Sequence, residues 1–372
     1  MATDPQLLIF VGGLTGEPVV EMVGAAQRAV ALDTVARATQ SGAFAQIVLV
    51  TDSPELAGQM DGHVTVEMSG PAFVFGRRLR DVIERHNVRR PFYMGGGGLP
   101  LLSSEELARL AKRLSRASGT AITNNLFSSD LVAFTPGRAI TRITVEPHDN
   151  ALSLRLRDEA GLRVIPLPRN ATTQFDLDTP TDLAILKVHP ACGPRARAYL
   201  NGLDLDTTSL TRIMTLMTDT SRQLLVAGRM PSYVWSYIEQ ETACRVRVLS
   251  EERGMRADGR EDRGEVRSLV GLYYQQVGPR QFFRDLSQLG DAAIIDSRVL
   301  FGHLGLHPSP RDRFNSDLLR PDQIEDAAVR TFTEAALTAP IPIVLGGHSV
   351  VSGGLWALVE AAWAAAGTRE DA

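Results

Sequence analysis

The chain has 372 residues, of which 44% are hydrophobic, and a formal net charge of −4, so its length favours two domains of an ordinary globular protein. The basic residues are scattered, which argues against nucleic-acid binding, and no apolar run approaches the roughly 18 residues of a membrane span. Because Met1-Ala-Thr-Asp-Pro5 lacks the basic start and apolar core of a signal peptide, we expect a cytoplasmic protein with neither nucleic-acid nor membrane partners.

In the first half, apolar strand patterns alternate with helical ones. The predicted strands are Gln6–Val11, Gln46–Thr51, 63–67 and 91–94, and the predicted helices are 19–41, 75–86 and 104–115. This alternation predicts an α/β fold with a doubly wound, mostly parallel sheet. Such a sheet binds ligands beyond the carboxyl ends of its strands.

Between residues 121 and 167 the pattern changes to short strands and turns. We predict an antiparallel excursion here, with strands over 140–146 and 151–157. Residues 175–183 (FDLDTPTDL) then open a helix. Thr179 suits its N-cap, Pro180 its first position and Asp182 the third position of a capping box.

Turn signals cluster at residues 191–195, so we predict one domain over 1–192 and a second α/β domain over 193–372. The predicted strands of the second domain are 223–227, 244–249, 292–296 and 341–345. Its predicted helices are 210–217, 231–241, 266–289, 322–337 and 354–365. The highly charged segment 251–265 predicts a loop.

Four motifs follow one another over roughly residues 6–190: Gly12-Gly13 after the first strand, Asp52 after the second, the glycine run 95–98 before Leu99-Pro100, and FDLDTPTDL. This succession resembles the nucleoside-triphosphate transferase fold of molybdenum-cofactor guanylyltransferases and phospholactate guanylyltransferases. The resemblance implies transfer of a nucleoside monophosphate from a nucleoside triphosphate to a small phosphorylated or carboxylated acceptor. It implies these nucleotide-binding residues: Gly12, Gly13, Arg28, Asp52, Gly95, Gly96, Gly97 and Gly98.

The same resemblance implies a Mg²⁺ cofactor. In the family an Asp-x-Pro-Leu-Leu loop supplies a metal aspartate, but here Gly98 stands at that position. Asp178 fills the second ligand position, two residues before the proline, and is with Arg28 the implied catalytic residue. Asp178 can instead serve the turn beside Thr179, and Arg28 can be an ordinary surface arginine. Asp176 or Asp130 could supply the second carboxylate.

Two polar segments are candidates for the substrate site. One packs amides, hydroxyls and an acid into residues 123–130, with the candidates Asn124, Asn125, Ser128, Ser129 and Asp130; these side chains can equally satisfy an ordinary turn. In the other, Phe73 and Phe75 could stack a base while Arg77 and Arg78 pair with a phosphate. The alternative is an aromatic core pair with solvated arginines.

The second half carries a separate glycine loop after a predicted strand. Its residues Gly346, Gly347, His348 and Ser349 could hold an anion, although the lysine of a P-loop is missing. Asp296, His303 and His307 could bind a metal if helical, but Gly305 and Pro308 favour a loop.

Three functions follow from these observations. The first is a Mg²⁺-dependent nucleotidyltransferase acting on a nucleoside triphosphate and a small-molecule acceptor, as a homodimer. The second is a catalytically degenerate nucleotide or sugar-nucleotide binding protein or scaffold. The third places chemistry in the second half, with His303, His307 and His348 around an anionic substrate.

Overall fold

A computed structural model describes residues 4–70, 72–145 and 147–370. Contacts divide the chain into two compact units. The first contains the chain up to Leu14, Gly24–Asp176 and Gly193–Ala196, and the second contains Thr15–Val23, Leu177–Cys192 and the chain from Arg197 onward. The domain limits 1–192 and 193–372 remain a prediction. Within the described residues, no helix has the length and apolarity that a membrane crossing requires.

The first unit is built on a seven-stranded sheet with the strand order β3-β2-β1-β4-β6-β5-β7. Its strands are β1 (Gln6–Val11), β2 (Gln46–Thr51), β3 (Val64–Met68), β4 (Pro91–Gly95), β5 (Thr120–Thr123), β6 (Leu131–Thr135) and β7 (Arg163–Pro166). All pairings are parallel except those of β6 with β4 and β5. The predicted α/β fold with a doubly wound, mostly parallel sheet is confirmed.

Helices cover both faces of this sheet. The helices of residues 4–176 are α1 (Pro18–Ser41), α2 (Pro54–Gly58), α3 (Phe75–Arg85), α4 (Ser104–Ser115), α5 (Leu152–Asp158) and α6 (Ala171–Gln174). Alternate residues of β1 serve the two faces: Ile9 packs in the core that contains Val35 of α1, and Phe10 packs in the core that contains Leu79 of α3. Because both faces are buried, the central strands are apolar at nearly every position.

The antiparallel excursion exists, but two strands predicted within it are wrong. Gly137–Arg142 forms a 3₁₀ helix, and Leu152–Asp158 forms α5; Glu146, the end of the first predicted strand, lies outside the described residues. The alternating leucines of LSLRLRD imitate a strand, yet Leu152 and Leu156 are buried one helical turn apart.

The second unit contains a four-stranded sheet in the order β11-β10-β8-β9, and every pairing in it is parallel. Its strands are β8 (Gln223–Gly228), β9 (Arg245–Ser250), β10 (Ala292–Asp296) and β11 (Ile343–Gly346). The helices from residue 180 onward are α7 (Pro180–Val188), α8 (Pro194–Asn201), α9 (Thr208–Met217), α10 (Ser232–Glu241), α11 (Leu269–Val277), α12 (Pro279–Leu286), α13 (Ser297–His303), α14 (Pro310–Asp317), α15 (Ala327–Leu337) and α16 (Gly353–Glu370). Two further 3₁₀ helices are Pro321–Gln323 and Ser349–Val351.

Local chemistry explains where these helices begin and end. The predicted helix 266–289 is two helices, because Gly278 has a φ of 77° and Pro279 starts α12. The helix predicted from residue 322 begins at Ala327, because Asp326 accepts hydrogen bonds from the amides of the first turn. The capping box of α7 is confirmed, since the Asp182 carboxylate accepts the Thr179 N–H at 2.8 Å.

Candidate functional site

The first unit contains a cavity of about 230 Å³ at the carboxyl ends of β1 to β4. β2 and β4 flank β1, so the order of the strands reverses beside β1. Ligands of open α/β sheets bind at such a switch point. The residues lining the cavity are Phe10, Val11, Gly12, Gly13, Val50, Asp52, Ser69, Gly70, Phe73, Phe75, Tyr93, Pro147, His148 and Asp149.

Asp52, which follows β2, is hydrogen-bonded to the turn that follows β1. Its carboxylate accepts a hydrogen bond from the Gly13 N–H at 2.9 Å, and Gly13 has a φ of 85°. A Cβ atom at Gly12 would lie only 2.5 Å from the Asp52 Oδ1 atom. The three residues therefore form one tight turn at the mouth of the cavity, and their assignment to the nucleotide stays a prediction.

Aromatic rings form the apolar wall of the cavity. Phe75 and Tyr93 pack edge to face with ring centroids 5.0 Å apart, and Phe10 meets Phe75 in the same manner at 5.7 Å. Phe73 lies at the cavity with 48% of its surface exposed. An exposed ring beside packed rings offers a face on which a planar base can stack.

Arg78 does not face a ligand in this structure. Its guanidinium donates to Glu67 at 2.8 Å and to the Met68 carbonyl at 3.0 Å. Burial raises the pKa of Glu67, but hydrogen bonds from His86 and Arg85 outweigh it, so the net pKa is lowered. Arg78 is thus held by this carboxylate in the structure, and its phosphate contact stays a prediction. Arg77 is exposed and lies outside the cavity lining.

Tyr93 and Asp149 form the polar side of the cavity. The buried Tyr93 hydroxyl donates to the Asp149 Oδ2 atom at 2.6 Å. Burial and then the charge of Asp149 raise the pKa of Tyr93 well above its usual value, so the phenol remains a donor. Asp149 and His148 were not predicted as site residues, because they lie between the strands predicted over 140–146 and 151–157.

The glycine loop after β4 uses its amides internally. The N–H groups of Gly95, Gly96 and Gly98 donate to the carbonyls of Asp130, Phe10 and Gly95 at 2.9, 2.8 and 3.0 Å, respectively. A Cβ atom at Gly96 would lie 2.3 Å from the Val11 Cβ atom, and one at Gly97 would lie 2.7 Å from the Gln27 Cγ atom. The hypothesis that loop amides cradle a phosphate does not hold for Gly95, Gly96 and Gly98; close packing explains the glycines.

Two acids converge on Gly98, the position at which the aspartate is missing. Gly98 pairs with Asp176 in an isolated antiparallel bridge. A Cβ atom at Gly98 would lie 2.9 Å from the Asp130 Cβ atom. Both acids are half-buried, and the Asn124 Nδ2 atom donates to Asp130 Oδ2 at 2.9 Å. Asp130 and Asp176 therefore both lie next to the loop at Gly98.

The side chains near Gly98 that could bind Mg²⁺ are carboxylates, which suit this ion, but they are few. Over residues 4–70, 72–145 and 147–370 no group of three or more His, Cys, Asp or Glu side chains is placed to hold a metal. Mg²⁺ in phosphate-transferring sites is commonly held by one or two carboxylates together with substrate phosphates. Asp130 and Asp176 match that requirement. Asp178 is exposed and belongs to the second unit, so its role as a metal ligand stays a prediction.

The polar segment 123–130 largely satisfies its own turn. The Asn124 Oδ1 atom accepts the N–H groups of Asp130 and Leu131, and the Ser129 hydroxyl donates to the Asn125 carbonyl at 2.8 Å. Ser128 is exposed and donates to Asn150 Oδ1. The structure thus favours the turn interpretation for Asn124 and Ser129.

Arg28 is half-buried on α1 and is not among the cavity-lining residues; its role stays a prediction.

The metal site predicted from Asp296, His303 and His307 is wrong. Asp296 is buried and paired with Arg229, and the His303 Nδ1 atom accepts the Ser268 N–H at 3.1 Å. His307 is exposed on the chain beyond α13.

The glycine loop predicted to hold an anion does follow β11: Gly346 ends the strand, His348 is exposed and Ser349 is buried.

No protein-family model and no curated protein matches the chain. Solved structures do match its N-terminal half. A protein described as a nucleotide-diphospho-sugar transferase from Desulfovibrio desulfuricans G20 is 14% identical with a TM-score of 0.40 over 55% of this chain and 100% of that chain. A cytidylyltransferase from Leptospira borgpetersenii is 17% identical with a TM-score of 0.39 over 50% and 86%.

A third neighbour is Rv0371c from Mycobacterium tuberculosis H37Rv, solved as a complex with manganese. It is 15% identical with a TM-score of 0.33 over 54% of this chain and 100% of that chain. TM-scores below 0.5 are too low to carry an argument about activity.

Proposed function

We propose that the first unit binds a nucleoside triphosphate and transfers its nucleoside monophosphate to a small phosphorylated or carboxylated acceptor. The observation that carries this proposal is the convergence of Asp130 and Asp176 on Gly98. In the family that the sequence resembles, the molybdenum-cofactor and phospholactate guanylyltransferases, an aspartate at position 98 would serve the metal. Here the Cβ atom and the backbone carbonyl oxygen of Asp130 lie beside that position.

The cavity supplies the second support. Its aromatic wall and the turn of Gly12, Gly13 and Asp52 lie side by side at the switch point of the sheet. Its volume of about 230 Å³ is below the roughly 300–1,000 Å³ of pockets for drug-sized ligands. We infer that the base, stacked near Phe73, fills it while the phosphates extend along the strand ends.

The reaction requires one displacement at the α-phosphorus. An acceptor oxygen forms the new bond to this phosphorus, the bond to the bridging oxygen of the β-phosphate breaks, and pyrophosphate leaves. Asp130 and Asp176 would hold Mg²⁺, which when bound neutralises charge on the phosphate oxygens. Arg28 remains the predicted contact of the triphosphate. A homodimer and a cytoplasmic location also remain predictions.

A second function is binding without turnover, as a nucleotide or sugar-nucleotide binding protein or scaffold. The observation that favours it is the internal pairing of the Gly95, Gly96 and Gly98 amides, which removes three phosphate donors. The chain also lacks the lysine that the family places after its first glycine pair. Both functions share the nucleotide site and differ in product formation.

Two measurements separate these functions. Melting temperature is first measured with GTP, CTP, UTP and ATP, each with and without Mg²⁺, because a ligand of the native state raises stability by mass action. The triphosphate that gives a Mg²⁺-dependent shift is then labelled at its α-phosphorus and incubated with phosphorylated and carboxylated acceptors. Transfer of the label to an acceptor by the wild type, together with loss of this transfer in Asp130→Asn, supports the transferase.

Binding without label transfer to any acceptor supports the second function. No shift with any nucleotide would overturn both functions. Label transfer that is unchanged in both Asp130→Asn and Asp176→Asn would overturn the roles given to these carboxylates.

A further inference from the structure

The second unit has a switch point of its own. In this sheet β9 lies on one side of β8, and β10 followed by β11 lies on the other side. The order of the strands therefore reverses between β8 and β10. The carboxyl ends of β8 and β10 therefore border the place where a ligand binds in an open α/β sheet. Arg229 directly follows β8, Asp296 ends β10, and Gly347-His348 follows β11.

Two bidentate ion pairs lie at this edge. Arg229 donates to Asp296 through Nε and Nη2 at 2.6 and 3.0 Å, and Arg298 donates to Asp317 through both Nη atoms at 2.6 Å. Both aspartate side chains are fully buried, whereas the arginine side chains keep 10% and 12% exposure. The pairs hold the guanidinium groups in fixed orientations. Burying these charges has a desolvation cost, which the pairing offsets.

The strand ends pack closely around these pairs. A Cβ atom at Gly228 would lie 2.3 Å from the Asp296 Cβ atom, and one at Gly347 would lie 4.0 Å from the Arg298 Nε atom. The glycine loop after β11 thus borders Arg298. Because Gly347 has no side chain, its backbone lies close to the guanidinium and to the Thr179 Cγ2 atom, which is 3.3 Å from the position of a Cβ atom.

A third arginine lies beside these pairs, where the charges of Arg298 and of the acidic Asp317 and Glu261 act on it. Arg313 lies one helical turn before Asp317 on α14, so it shares a helix face with the partner of Arg298. It is half-buried and makes no hydrogen bond or ion pair with any other residue that the structure describes. Burial, and then the charges of Arg298 and Arg256, lower the pKa of Arg313.

His348 lies beside the same arginines. Desolvation and then the charge of Arg229 lower the pKa of His348 to about 4, while the charge of Asp296 acts in the opposite direction, so the ring is neutral near pH 7. The ring lies at the end of β11, and Arg253 follows β9 by three residues. Arginines from the chain after β8, β9 and β10 and the His348 ring therefore meet at one sheet edge.

We propose that the second unit binds the phosphate group of a small phosphorylated molecule at this edge, between Arg229, Arg298, Arg313 and the backbone of Gly347. Guanidinium groups in fixed orientation match phosphate oxygens bidentately. Arg313, which makes no hydrogen bond or ion pair with a described residue, gains a hydrogen bond to the ligand. The site is independent of nucleotidyl transfer in the first unit.

The test uses the full chain and inorganic phosphate as the probe. Isothermal titration measures phosphate affinity for the wild type, Arg313→Gln and Arg212→Gln. Arg212 is the matched control, since it is exposed on α9 of the same unit and outside the cluster. We expect Arg313→Gln to lower the affinity by about 10-fold to 100-fold, the worth of a charge-assisted hydrogen bond, and Arg212→Gln to leave it unchanged.

Hydrogen exchange locates the bound phosphate. We expect slower exchange of the amides at 296–298 and 346–349 on addition of phosphate, in the wild type and in Asp130→Asn alike. Failure of the wild type to bind phosphate, equal affinity in Arg313→Gln, or protection confined to the first unit would each overturn the proposal. Because Asp130→Asn retains this site, failure of the nucleotidyltransferase proposal leaves the phosphate test intact.

Discussion

The Cβ atom of Asp130 lies 2.9 Å from the position that a Cβ atom would take at Gly98. Real Cβ atoms do not approach each other so closely, so an acid at one of these positions excludes an acid at the other in the present backbone. The two positions belong to different loops and share one space. Under the proposed function, Asp130 would substitute for the aspartate that the family resemblance places at residue 98.

An exchange of the two residues tests this relationship. We expect Gly98→Asp alone to lower the free energy of unfolding by about 1–3 kcal/mol, as overpacking does. The double variant Gly98→Asp with Asp130→Gly should recover most of that loss, because the clash is gone. Urea unfolding of the wild type, both single variants and the double variant gives the coupling energy. Additive effects would show that the two positions do not compete.

Gly12→Ala tests the turn at the cavity mouth. The new Cβ atom would lie 2.5 Å from Asp52 Oδ1, so Asp52 must turn away and release the Gly13 N–H. We expect a loss of about 1–3 kcal/mol in unfolding free energy and loss of the nucleotide-dependent rise in melting temperature. Gly58→Ala is the control, since a Cβ atom at Gly58 meets nothing within 4 Å. Equal behaviour of both variants would contradict the role of Asp52.

Tyr93→Phe removes the buried donor to Asp149. The hydrogen bond is 2.6 Å long and buried, so we expect a cost of about 2 kcal/mol in unfolding free energy, measured with denaturant. The chain offers a matched control: the exposed Tyr273 hydroxyl donates to Asp285 Oδ2 at 2.5 Å. Tyr273→Phe should cost far less, because water replaces the donor there. A cost for Tyr93→Phe as small as that of the control would refute a stabilising role for the pair.

Asp182 predicts how stability depends on pH. Burial, and then the charge of Asp178, raise the pKa of Asp182 to about 7 in the native protein. An unfolded aspartate has a pKa of about 3.9, so the native state binds the proton more tightly. Stability is therefore lost as the pH rises from about 4 to about 7, at about 1.4 kcal/mol per pH unit, and the loss is constant above that window.

Asp182→Asn removes this pH dependence, because the amide stays neutral. We expect the unfolding free energy of the variant, relative to the wild type, to increase between pH 5 and pH 7 and then to level off. Denaturant unfolding at pH 5, 6, 7 and 8 measures the difference. Asp322→Asn, at an exposed position of the same unit, should show no such trend. A difference that is constant with pH would mean that Asp182 is ionised throughout.

The fold could be predicted because its signals are local. Continuous apolar runs such as Gln46–Thr51 predict strands buried on both faces, and the confirmed capping box at Thr179 fixes a helix start within nine residues of sequence. The strand predicted at 151–157 is wrong, because leucines at every second position satisfy both a short strand and one face of a helix turn. The strand predicted at 140–146 is wrong because its first residues belong to the 3₁₀ helix Gly137–Arg142.

The site was harder to predict because its contacts are between distant parts of the sequence. Residues 98 and 130 are brought together only by the pairing of β4 with β6. The four glycines looked like a phosphate loop, yet sequence does not reveal that Val11 and Gln27 press against them. Arg313 gave no sequence signal, because its lack of a hydrogen bond to any described residue depends on the three-dimensional structure.

The reversed direction of β6 determines which residues of the first unit can serve its ligand. Gly12 and Asp52 follow their strands, whereas Asp130 precedes its strand and still reaches the same edge, because β6 runs against β4. In a parallel sheet, the residues that follow the strands lie at the ligand-binding edge. An antiparallel strand such as β6 places the residue before it at that same edge. Loss of a loop carboxylate can be compensated across the sheet in this way while the hydrophobic core stays unchanged.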